Sequence, residues 1–211
     1  MSAQITDRLD NPDNVEIIRD QIGGIIAIEM DNQYQLALQE NDPVADDYLA
    51  TVLIENDEPF NAGGDNNLFP LINVDIERTQ HASRDASTSV NYNKMQATFN
   101  VDCYQTGNYE GKFAGRTAAI KAWKLARCVR AILDSDVYTY LNLRGVVCAV
   151  NVSGMQSGVP SMSDSAVKVV VVRLTVDVTY DQDAPQTSGP GMEIMSVVIS
   201  DDNGQIIADI S

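Results

Sequence analysis

Several residue groups in the chain have types and spacings that bear on chemistry. His81-Ala82-Ser83-Arg84-Asp85 places an imidazole, a hydroxyl and a carboxylate in one short segment. Acyl-transfer catalysis uses such groups as base, nucleophile and orienter. The surrounding sequence is polar throughout and nothing in it sets their mutual geometry, so a solvated loop is expected. The stretch Gly107 to Phe113 outlines a phosphate-cradling loop. Its glycines stand one residue too close, however, and Phe113 occupies the place of the required Ser or Thr. Asp42, Asp46 and Asp47 would attract Ca²⁺ but lack EF-hand spacing, which leaves an acidic loop. Cys103, Cys128 and Cys148 form no CxxC pair and match no zinc or haem spacing, so reduced thiols of the core are expected. No catalytic residue, cofactor or metal site is expected from these groups.

A fifth group stands out by charge. Lys112, Arg116, Lys121, Lys124, Arg127 and Arg130 supply six of the 14 cations of a chain whose net charge is −16, and no acid interrupts residues 111–133. Residues 1–65 hold 15 acids against Arg8 and Arg19, and residues 181–211 hold six acids and no Lys or Arg. An acidic surface opposes gripping nucleic acid or anionic membranes. The basic stripe is open to three readings: a solvated face, a nucleic-acid contact, or a surface that meets acidic segments. Those segments would belong to a neighbouring copy or to the same chain. The first residues show no basic and apolar leader pattern, and no apolar run nears the ~20 residues that span a bilayer.

The elements that would hold these residues follow from periodicity. Asn11 as cap and Pro12 at the first helical position predict a helix, with Val15, Ile18, Ile22, Ile25 and Ile26 at helical spacing to about Met30. Gly23-Gly24 inside it implies close packing or a kink. Residues 31–50 are read as a continuation of that helix followed by a loop at Asn41-Asp42-Pro43. Thr51 to Glu55 predicts a buried strand, and Leu71 to Glu77 a half-buried one. Residues 78–93 are read as a hairpin loop or an extension of the strands beside it. Met95, Ala97, Phe99, Val101 and Cys103 alternate with polar residues, the cleanest strand signal in the chain.

A second helix over residues 116–133 would bury Ala119, Ala122, Trp123, Ala126, Val129 and Leu133. Arg116, Lys121, Lys124 and Arg127 take its other side. Val146 to Val152 predicts a strand with Val146, Cys148, Val150 and Val152 on one face. A Gly/Ser/Met loop over 153–166 follows, and then a long, central strand from Val167 to Tyr180. Residues 183–192 read as a linker. Ile194 to Ile199 and Gln205 to Ile210 flank Asn203-Gly204 as a hairpin, which needs either its own sheet or another chain to pack on. The expected fold is α+β: a mostly antiparallel sheet with two main helices on one side and a C-terminal β-hairpin extension. The expected divisions are 1–182, 183–192 and 193–211.

The run from Phe99 to Val147 resembles the tail-terminator (tail-completion or neck) proteins of long-tailed bacteriophages. The shared pieces are an alternating strand into a Tyr-x-x-Gly-like turn (Val101 to Gly107) and an A-x-x-A-W/x-x-x-A-R-x-V-R-x-I-L helix (Ala118 to Leu133). A Tyr/Leu turn (Tyr138 to Leu143), Gly145-Val146-Val147 and the strand Val167 to Tyr180 complete the pattern. The likeness spans about residues 10–182, while the hairpin lies outside it. It implies a non-enzymatic virion protein, assembled in the host cytoplasm. Such a protein forms a homo-oligomeric ring, commonly a hexamer, that caps the tail tube, ends its polymerisation and meets the head–tail connector. DNA would cross the lumen without specific binding. Candidate subunit contacts are Arg116, Lys121, Lys124, Arg127 and Arg130 on the helix and Ile194, Val197, Ile199, Ile206 and Ile210 on the hairpin. The alternatives are another neck or tail-tube component, or a small-molecule-binding domain or enzyme of unknown chemistry.

Overall fold

The computed structural model describes residues 4–5, 13–55, 69–83, 92–106, 114–158, 169–183, 187–188, 197–200 and 206–210. In chain order the elements are β1 (Gln4–Ile5), α1 (Asn14–Gln39), β2 (Thr51–Ile54), β3 (Leu71–Ser83), β4 (Tyr92–Thr106) and α2 (Ala114–Leu133). They continue with β5 (Val147–Gly158), β6 (Val169–Asp183), β7 (Thr187–Ser188), β8 (Val197–Ser200) and β9 (Ile206–Ile210). The chain divides into two compact units, Pro12–Asp183 and the paired ends Met1–Asn11 with Ala184–Ser211.

The larger unit is an α+β fold around a five-stranded sheet of order β2-β3-β4-β6-β5. β2 runs parallel to β3, and every other pair is antiparallel. Residues 55–70 exceed the dozen or so that a parallel connection requires. One face of the sheet presents Ile72, Val74, Ala97, Phe99, Val101, Cys103, Val172, Leu174, Val176, Val178 and Tyr180, all buried. The same core takes Ile18, Ile22, Ile25, Ile26 and Met30 from α1, and Ala122, Leu125, Ala126, Val129 and Leu133 from α2. Both helices therefore cover one side, and the period-2 alternation of β4 and β6 leaves polar side chains on the other.

α1 begins two residues later than the sequence suggests. Asp13 is its cap, with its N–H donating to Glu16 Oε2 at 3.2 Å. Asn14 ties the first turn to the end of β6 through Asp181 O, at 2.8 Å, and Gln182 Oε1, at 3.2 Å. The helix runs unbroken through the polar stretch to Gln39, where Asn41 takes φ 55°. Asp42 N–H then reaches Ala37 O and Asn41 N–H reaches Leu38 O, a Schellman ending with Asn in place of Gly. The glycine pair resolves by position. A Cβ at Gly23 would lie 2.4 Å from Ile54 Cδ1, so this glycine lets α1 close on β2, whereas Gly24 faces open space.

Other expectations need correction. β2 is an edge strand, half-buried at Thr51 to Leu53 and exposed at Ile54. β3 continues past Glu77 to Ser83, which is the strand extension left open for residues 78–93, whereas residues 153–158 continue β5 rather than forming the loop expected there. In β5 a bulge between Val147 and Ala149 shifts the register, so Val147 is buried and Cys148 is exposed. One extra residue in a strand exchanges its two faces, which sequence alternation alone does not reveal. On α2 the buried face includes Ala118 and Leu125, while Trp123 is only partly buried against the core.

In the smaller unit β1 pairs antiparallel with β7, within the stretch read as a linker. β8 pairs antiparallel with β9, Val197 opposite Ile210 and Ile199 opposite Ala208. These are the strands expected to flank Asn203-Gly204, although Ile194 lies outside the described residues.

Candidate functional site

Among the described residues, the groups first considered for chemistry do not converge. His81 sits exposed on β3 opposite Met95, and Asp85 and residues 107–113 lie outside the described residues. Asp42 Oδ1 accepts from Val44 N–H at 3.0 Å and is spent on its own turn. Among the described residues no three His, Cys, Asp or Glu side chains come together to hold a metal ion. Cys103 is fully buried, and burial pushes its thiol well above the ordinary range. Cys128 is half-buried and also raised by desolvation. No helix among the described residues is long and apolar enough to cross a membrane.

The basic face of α2 separates into distinct environments. Lys121 Nζ lies 2.8 Å from Asp47 Oδ1, and Lys124 Nζ lies 3.8 Å from Asp47 Oδ2. Lys124 also stands 4.4 Å over the Tyr48 ring. The short 3-10 turn Ala45–Tyr48 thus latches the acidic segment onto α2 of the same chain. Two of the proposed subunit contacts are engaged internally, one of the arrangements the charge pattern left open. Arg130 pairs along its own helix with Asp134 at 3.0 Å.

Arg116 and Arg127 remain exposed, without an ion-pair partner among the described residues. At 100° per residue, Arg116, Ile120, Trp123 and Arg127 fall on one stripe of α2. Ile120 is 58% exposed there, and Trp123 is half-buried at its margin. Arginine, tryptophan and aliphatic side chains on one surface are the composition that carries binding energy at protein interfaces. The pattern was legible in the sequence. What the spacing alone does not show is that packing leaves Trp123 only half-buried.

A second assembly of polar groups escaped sequence reading. On the helix-free face of the sheet, Arg173 Nε and Nη2 donate to the two oxygens of Asp102, both at 2.7 Å. Tyr104 Oη donates to Asp102 Oδ2 at 3.1 Å. Burial and the neighbouring Asp102 charge push the Tyr104 phenol above its usual range. Asn73 Nδ2 donates to both oxygens of Asp75, at 3.0 and 2.9 Å. Thr98 joins Arg78 to Asp177, accepting from Arg78 Nε at 3.3 Å and donating to Asp177 Oδ1 at 2.8 Å. Cross-strand register creates these sets, with Asp102 opposite Arg173 and Thr98 opposite Asp177. Chemically they form a polar ladder in which Arg173 neutralises Asp102, while Asp75 is held only by the Asn73 amide and feels the Asp102 charge. The alternating polar residues were visible beforehand, but their pairing was not.

A cleft of about 350 Å³ opens between α1 and the end of α2, lined by Glu29, Gln33, Cys128, Ile132, Val137 and Tyr138 among others. Tyr138 Oη donates to Glu29 Oε1 across it, and that hydrogen bond raises the phenol. No protein-family model matches the chain. A search of curated proteins finds no match either.

Proposed function

We propose that the chain is a self-assembling structural protein, a ring-forming terminator of a phage tail tube. Its ring ends tube growth and meets the head connector, as the family it resembles does. The observation that carries the assembly reading is the α2 stripe Arg116–Ile120–Trp123–Arg127. It is a cationic and apolar surface on a chain of net charge −16. A closed ring needs two different complementary patches on each subunit. This stripe supplies the basic patch, and the acidic surface of the next copy supplies its counterpart. The same acidity lets DNA pass through a lumen unbound, because phosphates are held by cations. The phage assignment rests on the resemblance between Phe99 and Val147 and on the agreement of element order with it.

Light scattering coupled to size exclusion tests assembly: a closed oligomer is expected, and a monomer at all concentrations overturns the reading. Particles made without the protein test its place. Overlong or unjoined tails support termination, whereas normal tails with empty heads point to another neck component. The cleft beside Tyr138 favours a second reading, a small-molecule-binding domain. A monomer that gains thermal stability with a ligand in that cleft would establish it.

A further inference from the structure

The five-stranded sheet ends in two edges of different character. β2 exposes only four residues, and its far end is held by Arg19, which lies 2.7 Å from Glu55. β5 forms an edge twelve residues long, VCAVNVSGMQSG, without one charged side chain or proline. Natural edge strands are normally guarded by lysine, proline or shortness, because an open row of N–H and C=O groups invites another strand. The two bulges of β5 lie between Val147 and Ala149 and between Val152 and Gly154, so the register from Met155 to Gly158 is unbroken. Beyond Val147 the strand is exposed or only half-buried. Past Gly154 this edge has neither charge nor proline, and the bulges that would twist it away lie before Met155.

The same chain carries a strand pair of the opposite kind. β8 and β9 form a two-stranded sheet of their own, in a unit separate from the main core. Two strands alone are marginal in water, and they gain stability by joining a larger sheet. Their sequences, VVIS and IIADI, hold a single charge, Asp209, and the whole stretch 181–211 holds six acids and no cation. An uncharged acceptor edge suits such a strand, because it offers the acids no like charge.

We infer that the β5 edge is a strand-acceptor site whose occupant is the β8–β9 segment of a second copy of this chain. Main-chain hydrogen bonds would extend the five-stranded sheet across the subunit boundary. Each copy then holds one donor and one acceptor, a heterologous contact that propagates or closes into a ring. The inference rests on the self-assembly reading and adds a second contact, distinct from the α2 stripe.

Charge substitution on the exposed side chains of β5 tests it in the full-length chain. Asn151→Glu with Gln156→Glu sets acids against an acidic donor and is expected to weaken association roughly tenfold by light scattering. Asn151→Lys with Gln156→Lys is expected to leave association nearly intact, and Asp209→Lys is expected to restore it in the Glu variant. Equal weakening by Glu and Lys would mean that β5 pairs with another β5, which overturns the assignment of the donor. Failure of Asp209→Lys to rescue overturns it as well. Oligomers insensitive to every substitution would sink the edge site while leaving assembly standing. A chain that is monomeric before any substitution removes both. Circular dichroism of each variant separates lost association from lost folding.

Discussion

Adjacent glycines in α1 have opposite meanings. Gly24 faces open space within a regular helix, so Gly24→Ala removes backbone freedom from the unfolded chain at no steric cost. Stabilisation of about 0.5–1 kcal/mol is expected in urea denaturation. Gly23→Val would drive its side chain into Ile54 and Val52 and is expected to destabilise by about 1–3 kcal/mol in the same assay. Asp75 makes a comparable case for charge. Burial raises its carboxyl above the ordinary range, and Asp102 adds to this, against the donation from Asn73. The folded chain therefore binds this proton more tightly than the unfolded one. Stability from this group is fully present below the ordinary carboxylate range and is lost as pH rises through the higher folded value. Asp75→Asn removes that loss. The variant is expected to gain stability relative to the parent as pH moves from 3.5 to 7, measured by urea midpoints across that range.

At the scale of elements, two polar connections hold packed pieces together. Asp47, only 13% exposed at its side chain, receives Lys121 and Lys124 and so fastens the Ala45–Tyr48 turn to α2. The lysines are about one third exposed, and solvent screens the pairs. Asp47→Ala is thus expected to cost about 1 kcal/mol, with the difference shrinking in high salt. Across β4 and β6, Asp102 is almost wholly buried while Arg173 is half-exposed. Arg173→Met leaves the carboxylate with Tyr104 as its remaining described donor and is expected to cost about 2 kcal/mol, at the low side for a buried pair. Asp102→Asn in the same chain should recover part of that loss, which a double-mutant cycle measures. Element order and type were legible from hydrophobic rhythm. The latch was not, since nothing in the sequence selects Asp47 from its acidic neighbours as the residue that meets α2.

For the whole molecule, the proposed assembly through a basic stripe and an acidic body would carry an ionic-strength signature. Reversing Arg116 and Arg127 to Glu is expected to weaken oligomers at least tenfold while leaving the circular-dichroism melt unchanged, because neither side chain is buried in the core. Under that proposal the parent's association is expected to loosen with added salt, and the variant to lose most of that dependence. Arg130 is the poorer probe, because its pairing with Asp134 mixes a helix contribution into the result.

Which residues face the core was largely determined by the sequence alone. Periods of 3.6 and 2 are local properties, and burying apolar area needs only the right face. That is why Ile18, Ile22, Phe99, Val101 and Leu174 were placed correctly. The turn at Gly145, which takes φ 92°, and the break after Gln39 are local for the same reason. What tertiary structure decided depends on contacts between distant segments: the parallel placement of β2, the bulge that turns Cys148 outward, and the division of the α2 stripe. Lys121 and Lys124 meet the chain's own Asp47 and Arg130 meets Asp134, while Arg116 and Arg127, without an ion-pair partner among the described residues, share a stripe with Ile120 and a half-buried Trp123. Helical periodicity assigns a side chain to a face, but the packing partner decides what that face meets.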